Sequence, residues 1–162
     1  KIDGTVLSRL YEQEGAEGFN ATTSKDMTSY MVSFPSDRLR FWAETEAERI
    51  FHPRFREFDQ ERSVVMEERR MRVDNDPDGK LYEKFLAQAF EGTSYAWPTI
   101  GLMEDLQQLT PDDLNRFWRT HYRPANAIGA IVGNIDPVRT ERILILSIPA
   151  SSTALAASSV IS

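Results

Sequence analysis

The chain has 162 residues, of which 41% are hydrophobic and 27% are charged, a balance typical of a globular domain with a core of its own. Its net charge of −6 and the mixing of its basic residues with acids argue against a nucleic-acid partner. The absence of cysteine excludes disulfides, thiolate metal sites and a cysteine nucleophile.

Hydrophobic periodicity and turn residues predict a series of helices interrupted by two neighbouring strands and one later strand. The predicted elements are, in chain order, a helix over 3–15, strands over 18–24 and 28–34 joined by a turn at 25–26, helices over 35–51, 55–74, 80–90, 102–109 and 110–121, a buried strand over 127–135 and a short helix from 136. The clearest boundaries are His52-Pro53, which ends one helix, and Thr110-Pro111-Asp112-Asp113, which starts another. This order predicts an α+β fold in which helices pack on one face of a largely antiparallel sheet.

The last part of the chain, 143–162, carries no charged residue. Its length would suit a membrane helix, but Pro149 and six serines disfavour a membrane span. We expect a linker, an edge strand, residues added by cloning or a poorly ordered end. The predicted organisation is therefore one partial domain over 1–142 and a tail of uncertain origin over 143–162.

Two acids in the helix predicted over 55–74 have an informative spacing. Glu61 and Glu68 stand seven residues apart, and seven steps of about 100° miss two full turns by only roughly 20°. Both carboxylates are thus expected on one side of the helix, with Val64 and Val65 between them. Burying acids within an apolar stripe costs free energy of desolvation unless a positive or hydrogen-bonding group compensates for it. The pattern predicts a partner, which is either a metal ion or one of the many arginines of the chain.

Five blocks of the sequence occur together in an order typical of one peptidase family. They are Gly18–Tyr30, Glu61–Glu68, Pro98–Gly101, Tyr122–Ala127 and Val132–Pro137. Through these blocks the chain resembles the M16 metallopeptidases, the pitrilysin, insulinase and mitochondrial-processing-peptidase-like family, over residues 3–137. The resemblance implies most of an N-terminal, metal-bearing M16 domain.

The resemblance implies a zinc site built from a His-x-x-Glu-His motif and a glutamate on a later helix. Glu68 matches that glutamate ligand, and Glu61 matches a supporting acid that helps to order the catalytic water. His52 and His121 are not spaced like the motif. We therefore expect the two histidines and the general base upstream of Lys1, in a longer protein that binds Zn²⁺. The 162-residue chain alone is expected to be inactive and to hold zinc weakly.

The resemblance also assigns a role to the first strand and names partners. Asn20, Ala21 and Thr22 match the family's edge strand, along which a peptide or unfolded protein substrate is added as a further strand. Asn20 has an alternative interpretation, in which it satisfies a nearby backbone group. A second M16-type domain or subunit is expected to close a chamber around the substrate. Export to the bacterial periplasm is suspected from the resemblance alone.

Two functions compete with a zinc-dependent endopeptidase. The first is a non-catalytic M16-like subunit that binds substrate for an active peptidase or assembles with it. The second is a plain helical interaction module, for which the match of five blocks would be a coincidence. The sequence upstream of Lys1 would discriminate, since a His-x-x-Glu-His motif there is expected only in the peptidase.

Overall fold

The computed structural model describes residues 4–147, and within them the chain is rich in helix. The helices are α1 (Gly4–Gln13), α2 (Leu39–Phe51), α3 (Phe58–Arg69), α4 (Pro77–Ala89), α5 (Met103–Gln108), α6 (Pro111–His121) and α7 (Pro137–Ser147), and the strands are β1 (Glu17–Thr23) and β2 (Thr28–Ser33). The two strands pair in one sheet. The α+β class, the hairpin and the predicted helices are confirmed, with helix ends that differ by a few residues.

The strand predicted over 127–135 is wrong. These residues form irregular backbone, and Ile128 and Val132 are 102% and 88% exposed. A strand needs a neighbour that accepts and donates its backbone hydrogen bonds. Within residues 4–147 the sheet consists of β1 and β2, and neither pairs with this segment. The apolar run thus has the composition of a buried strand without a surface that buries it.

The described chain forms two compact units. The first comprises residues up to Asn20, Tyr30–Arg54 and the chain from Asn115 onward. The second comprises Ala21–Ser29 and Phe55–Leu114. Both strands of the hairpin and helix α6 contribute residues to each unit.

Tyr11 of α1 is the centre of the first unit. Its side chain is 1% exposed, and its ring packs edge-on against Phe19, Phe34 and Phe41 with centroids 5.0, 5.0 and 6.2 Å away. Its hydroxyl donates a hydrogen bond to the Glu46 carboxylate. Burial and this hydrogen bond raise the pKa of Tyr11 above the ordinary value. Edge-on aromatic packing is favourable beyond simple burial, so this cluster holds α1, the hairpin and α2 together.

A second polar network in the first unit joins the hairpin to α2 and to the end of α6. The Arg49 guanidinium lies over the Tyr30 ring, 4.2 Å from its centroid, and pairs with Glu46. The Tyr30 and Tyr122 hydroxyls lie 2.7 Å apart. Burial, and then the hydrogen bond with Tyr122, raise the pKa of Tyr30 to about 12.

Small side chains pack the helices of the first unit. Helix α2 buries Ala43, Thr45 and Ala47 and packs against α7, which buries Thr140. The α7 helix runs through residue 147 and so continues into the predicted tail, whose remainder, 148–162, lies outside the described residues. No helix among the described residues is long and apolar enough to cross a membrane. The domain boundary after residue 142 stays a prediction.

The second unit is built on a sharp corner between α3 and α4. Residues Arg70–Asp74 continue α3 as a π-helical turn, in which the amide of Asn75 donates to the carbonyl of Arg70 at 2.8 Å. Helix α4 begins at Pro77, earlier than predicted, because the Asp76 carboxylate caps it by accepting from the Gly79 amide at 2.9 Å. Only Asn75 and Asp76 separate the π-helical turn from α4.

Candidate functional site

Both acids of the predicted site lie on α3, in the second unit. Glu61 is in the first turn of the helix and Glu68 is in the last. A carboxylate near a helix N-terminus is favoured by the exposed amides there. The residues that α3 buries are Phe58 and Arg69, one near each end. The helix is therefore fixed at its ends, and the stretch between them is more open.

The predicted burial of the two acids within an apolar stripe is wrong for the described chain. Val64, which lies between them, is 55% exposed, and Glu61 is exposed as well. An apolar residue is buried only where a second surface packs on it, and within residues 4–147 Val64 has no such cover. Glu61 consequently keeps its contact with water, and the Glu68 side chain, which is 37% exposed, is desolvated only in part. The full desolvation penalty expected from the sequence therefore does not arise.

The Glu68 carboxylate is paired with an arginine of its own helix. Its Oε1 lies 3.0 Å from Nη1 of Arg72, and the two side chains are 37% and 75% exposed. An exposed pair of this kind contributes only about 0–1 kcal/mol, so a stronger ligand of Glu68 can displace Arg72. No ion pair of the Glu61 carboxylate is found in the described part of the chain. The arginine alternative is thus realised for Glu68, through a weak contact, and not for Glu61.

Arg69, next to Glu68, was missed by sequence reasoning. Only 5% of this residue is exposed. Its Nη1 and Nη2 lie 2.8 and 3.1 Å from the Glu83 carboxylate on α4, and Nη1 also donates to the Gly101 carbonyl at 2.7 Å. Asp74 lies 3.5 Å from Nη2. These hydrogen bonds to Glu83 raise the pKa of Arg69, and they bind the end of α3 to two other segments.

The π-helical turn after Arg69 is held by a close approach of α4. A Cβ atom placed on Gly79 would lie 2.1 Å from the Arg72 carbonyl oxygen and 3.0 Å from Cα of Val73. The first turn of α4 therefore packs directly on the backbone of the π turn. In the sequence, the run Asp74–Gly79 is rich in turn-forming residues and predicts a turn, but nothing in it distinguishes a π turn from an α turn.

The predicted substrate residues lie in the middle of β1. Every residue of this strand is exposed, and Asn20 belongs to the first unit, whereas Ala21 and Thr22 belong to the second. In the second unit the hairpin turn is fixed at two points. Tyr95 donates to the Asp26 carboxylate at 2.6 Å, and Lys25 donates to the Trp97 carbonyl.

Both histidines lie at helix ends, as predicted. His52 directly follows α2, with Nδ1 3.2 Å from the Glu48 carboxylate. His121 is the last residue of α6, and its ring centroid is 4.4 Å from that of Phe117. Each is thus engaged with a neighbour one turn earlier on its own helix.

The donor set for a metal is incomplete in the described chain. Within residues 4–147 there is no cluster of three or more His, Asp or Glu side chains that could hold a metal ion. Glu68 suits one ligand position, since it is a partly exposed carboxylate held by a weak ion pair. A catalytic zinc takes three protein ligands and leaves one position open. The described residues could therefore fill one of those three positions.

Comparison with known proteins decides the family. A family model described as insulinase (peptidase family M16) matches residues 1–101, and a model described as the peptidase M16 inactive domain matches residues 108–145. The chain belongs to peptidase family M16. The predicted resemblance to M16 peptidases is thereby confirmed.

Several M16 relatives carry the name zinc protease. The zinc protease PqqE of Helicobacter pylori is 40% identical over 119 residues, which are 72% of this chain and 27% of the relative. An uncharacterized zinc protease of Mycobacterium leprae is 33% identical over 132 residues, 80% of this chain and 29% of the relative. For the uncharacterized zinc protease YmxG of Bacillus subtilis the identity is 28%, over 80% of this chain and 32% of the relative. This M16 chain spans roughly a third or less of these proteins.

A solved structure supports the M16 fold. The crystal structure of a protease from Helicobacter pylori superposes with a TM-score of 0.86 at 30% sequence identity. The match covers 100% of this chain and 39% of that protein. The α+β architecture described above is therefore that of a segment of a known protease.

Proposed function

We propose that this chain is part of a zinc-dependent endopeptidase of the M16 family, to which it contributes one metal ligand and the strand that receives the substrate. The observation that carries the proposal is the partly exposed Glu68 carboxylate on a helix fixed at both ends, in a family whose relatives here are named zinc proteases. Because the chain covers only part of those relatives, the activity proposed is that of the whole protein.

Glu68 would hold the zinc ion through a carboxylate oxygen, after releasing Arg72. When bound, zinc lowers the pKa of a water ligand towards about 7 and so supplies the nucleophile for peptide hydrolysis. Glu61 lies two turns earlier on the same side of α3, about 10 Å along the helix axis. Its exposed carboxylate would accept hydrogen bonds from groups around the metal and help to orient the attacking water.

Asn20, Ala21 and Thr22 would bind the substrate as an added strand. Main-chain hydrogen bonds along an exposed strand give affinity for extended peptides of varied sequence, and side-chain pockets give the preference. The exposed class of every residue in β1 supports this role. The substrate class is therefore an unfolded segment or a free peptide rather than a folded protein.

A second M16-type domain or subunit would close the site. The match of residues 108–145 to the model of the peptidase M16 inactive domain supports this, because a second M16 family model then matches the chain beside the one that matches residues 1–101. Such a lid would also cover apolar surface that the described residues leave open, including that around Val64.

The experiment that tests the proposal uses the full-length protein and a quenched fluorescent peptide. We expect hydrolysis that a chelator abolishes and zinc restores. Glu68→Gln should lose both zinc and activity, whereas Glu61→Gln should retain zinc and lose about 10–100-fold in kcat. Glu67→Gln is the matched control, since Glu67 is an exposed glutamate of the same helix that pairs with Arg70. Full zinc content in Glu68→Gln would refute the ligand role.

The 162-residue chain on its own should neither cleave peptides nor hold zinc tightly. One carboxylate is too few for a catalytic site, and binding energy falls steeply with each missing ligand. Equilibrium dialysis of the chain against buffered zinc measures this directly. A dissociation constant at or below about 1 µM, close to −8 kcal/mol, would contradict the proposed division of ligands.

A non-catalytic M16-like subunit is the second candidate, and one observation favours it. Residues 108–145 match a model that is described as the peptidase M16 inactive domain. In that case the full-length protein alone would lack activity with or without zinc and would raise the activity of a separate M16 peptidase.

A further inference from the structure

Arg69 is buried at the end of α3, where it contacts two other segments of the second unit. Its side chain is 6% exposed and lies within hydrogen-bond distance of Glu83 on α4 and of the Gly101 carbonyl. We call these three groups the Arg69 anchor. They join the end of α3 to two other segments of the second unit, which are 14 and 32 residues from Arg69 in sequence.

The anchor fixes the backbone to which Glu68 is attached. Successive side chains of a helix point about 100° apart around the helix axis. Because Arg69 points into the unit, Glu68 points about 100° away from that direction. The helix cannot turn about its axis at this point unless the guanidinium leaves both oxygens of Glu83. Arg72 gives no comparable hold on Glu68, because its own side chain is 75% exposed.

The backbone that follows reinforces the same position. The helix changes from α to π geometry at Arg70, directly after the anchor. π-Helical turns are rare and often found at functional sites. The first turn of α4, at Gly79, leaves no room for the π turn to move towards it, since even a Cβ atom would collide with the Arg72 carbonyl.

We propose that Arg69 is a positioning residue, which acts through Glu83 and Gly101 to fix the direction in which α3 presents the Glu68 carboxylate. The inference rests on the proposed role of Glu68 as a metal ligand. A bidentate pair suits this task, because the planar guanidinium and the carboxylate fix both distance and orientation. A lysine at the same place would keep the charge and lose the second hydrogen bond.

The test measures zinc affinity of the full-length protein by competition with a chromophoric chelator. Arg69→Lys and Glu83→Gln should weaken zinc binding by about 10–100-fold, as loss of groups that orient a ligand commonly does. At saturating zinc, kcat should return to near the wild-type value. Arg62→Lys is the control, because Arg62 also ties α3 to another segment, through the Leu109 carbonyl at 2.9 Å, but at the other end of the helix.

The outcomes separate the two proposals. Glu68→Gln, measured beside the others, tests the ligand role itself. If Glu68→Gln loses zinc while Glu83→Gln, folded by circular dichroism, binds zinc within twofold of wild type, the positioning role is overturned and the ligand role stands. If Arg62→Lys weakens zinc as much as the anchor variants do, general loosening of α3 explains the effect, and the positioning role is again overturned. Unchanged zinc affinity in Glu68→Gln overturns the proposed function.

Discussion

The close approach at Gly79 makes a sharp prediction for Gly79→Ala. In an open helix this change stabilises by up to about 1 kcal/mol, because alanine is the better helix former. Here the new Cβ would lie 2.1 Å from the Arg72 carbonyl oxygen, and the obstacle is backbone rather than a flexible side chain. Overpacking of this kind costs about 1–3 kcal/mol.

The shift that relieves the collision adds a further cost. Moving α4 away from the π turn would strain the hydrogen bond from the Gly79 amide to Asp76, which is 2.9 Å long. Loss of a helix cap costs about 1 kcal/mol. The terms sum to a net destabilisation of about 1–3 kcal/mol, with a helix-propensity gain of about 1 kcal/mol subtracted.

Urea denaturation of the 162-residue chain, followed by circular dichroism, measures the change in free energy of unfolding. Gly129→Ala is the matched control, since a Cβ atom there would meet nothing within 4 Å. Its stability should stay within about 0.5 kcal/mol of the parent or rise slightly. A Gly79→Ala variant as stable as Gly129→Ala would refute the packing described for this corner.

Two further predictions concern α6 and the tyrosine pair. Thr110→Ala should cost about 1 kcal/mol in the same assay, because Thr110 and Asp113 cap α6 reciprocally, at 3.3 Å and 3.0 Å; an unchanged midpoint would contradict this. The pKa of Tyr30 is raised to about 12, so folding favours the protonated form of its hydroxyl. The contribution of Tyr30 to the free energy of unfolding is therefore complete below about pH 10, and it is lost as the pH rises towards 12. Difference titration near 295 nm should show Tyr30, like Tyr11, ionising late in the folded chain. Tyr122→Phe should move the Tyr30 ionisation towards lower pH without returning it to the ordinary value, because burial is the larger cause.

Elements specified by neighbouring residues were predictable from the sequence. His52-Pro53 ends α2, and the cap at Thr110 starts α6, because each depends on backbone groups within one turn. The hairpin turn at 25–26 follows the same rule. The two acids of α3 were found by spacing, and their assignment to a metal and to the surrounding shell came from the family resemblance and stays a prediction.

Features that depend on distant partners were not predictable. The segment 127–135 has the composition of a buried strand, but pairing requires a neighbour that composition does not supply. Arg69 is one of several arginines in a charged stretch, and its burial is decided by Glu83 and Gly101, which lie on other segments. Val64 shows the converse, since its apolar side chain suggested a covered face that the described residues do not provide.

The exposed segment 127–135 has a practical consequence for anyone who purifies this chain. Residues 127–135 are uncharged, rich in isoleucine and valine, and without a strand partner in the described structure. Natural proteins protect such stretches with charges, prolines or covering elements, since two copies can otherwise pair edge to edge. We therefore expect the isolated chain to associate as its concentration rises. Ile128→Lys should restore a monomer, as measured by light scattering. It should do so without a loss of stability, because Ile128 is 102% exposed and packs on no other residue of the described structure.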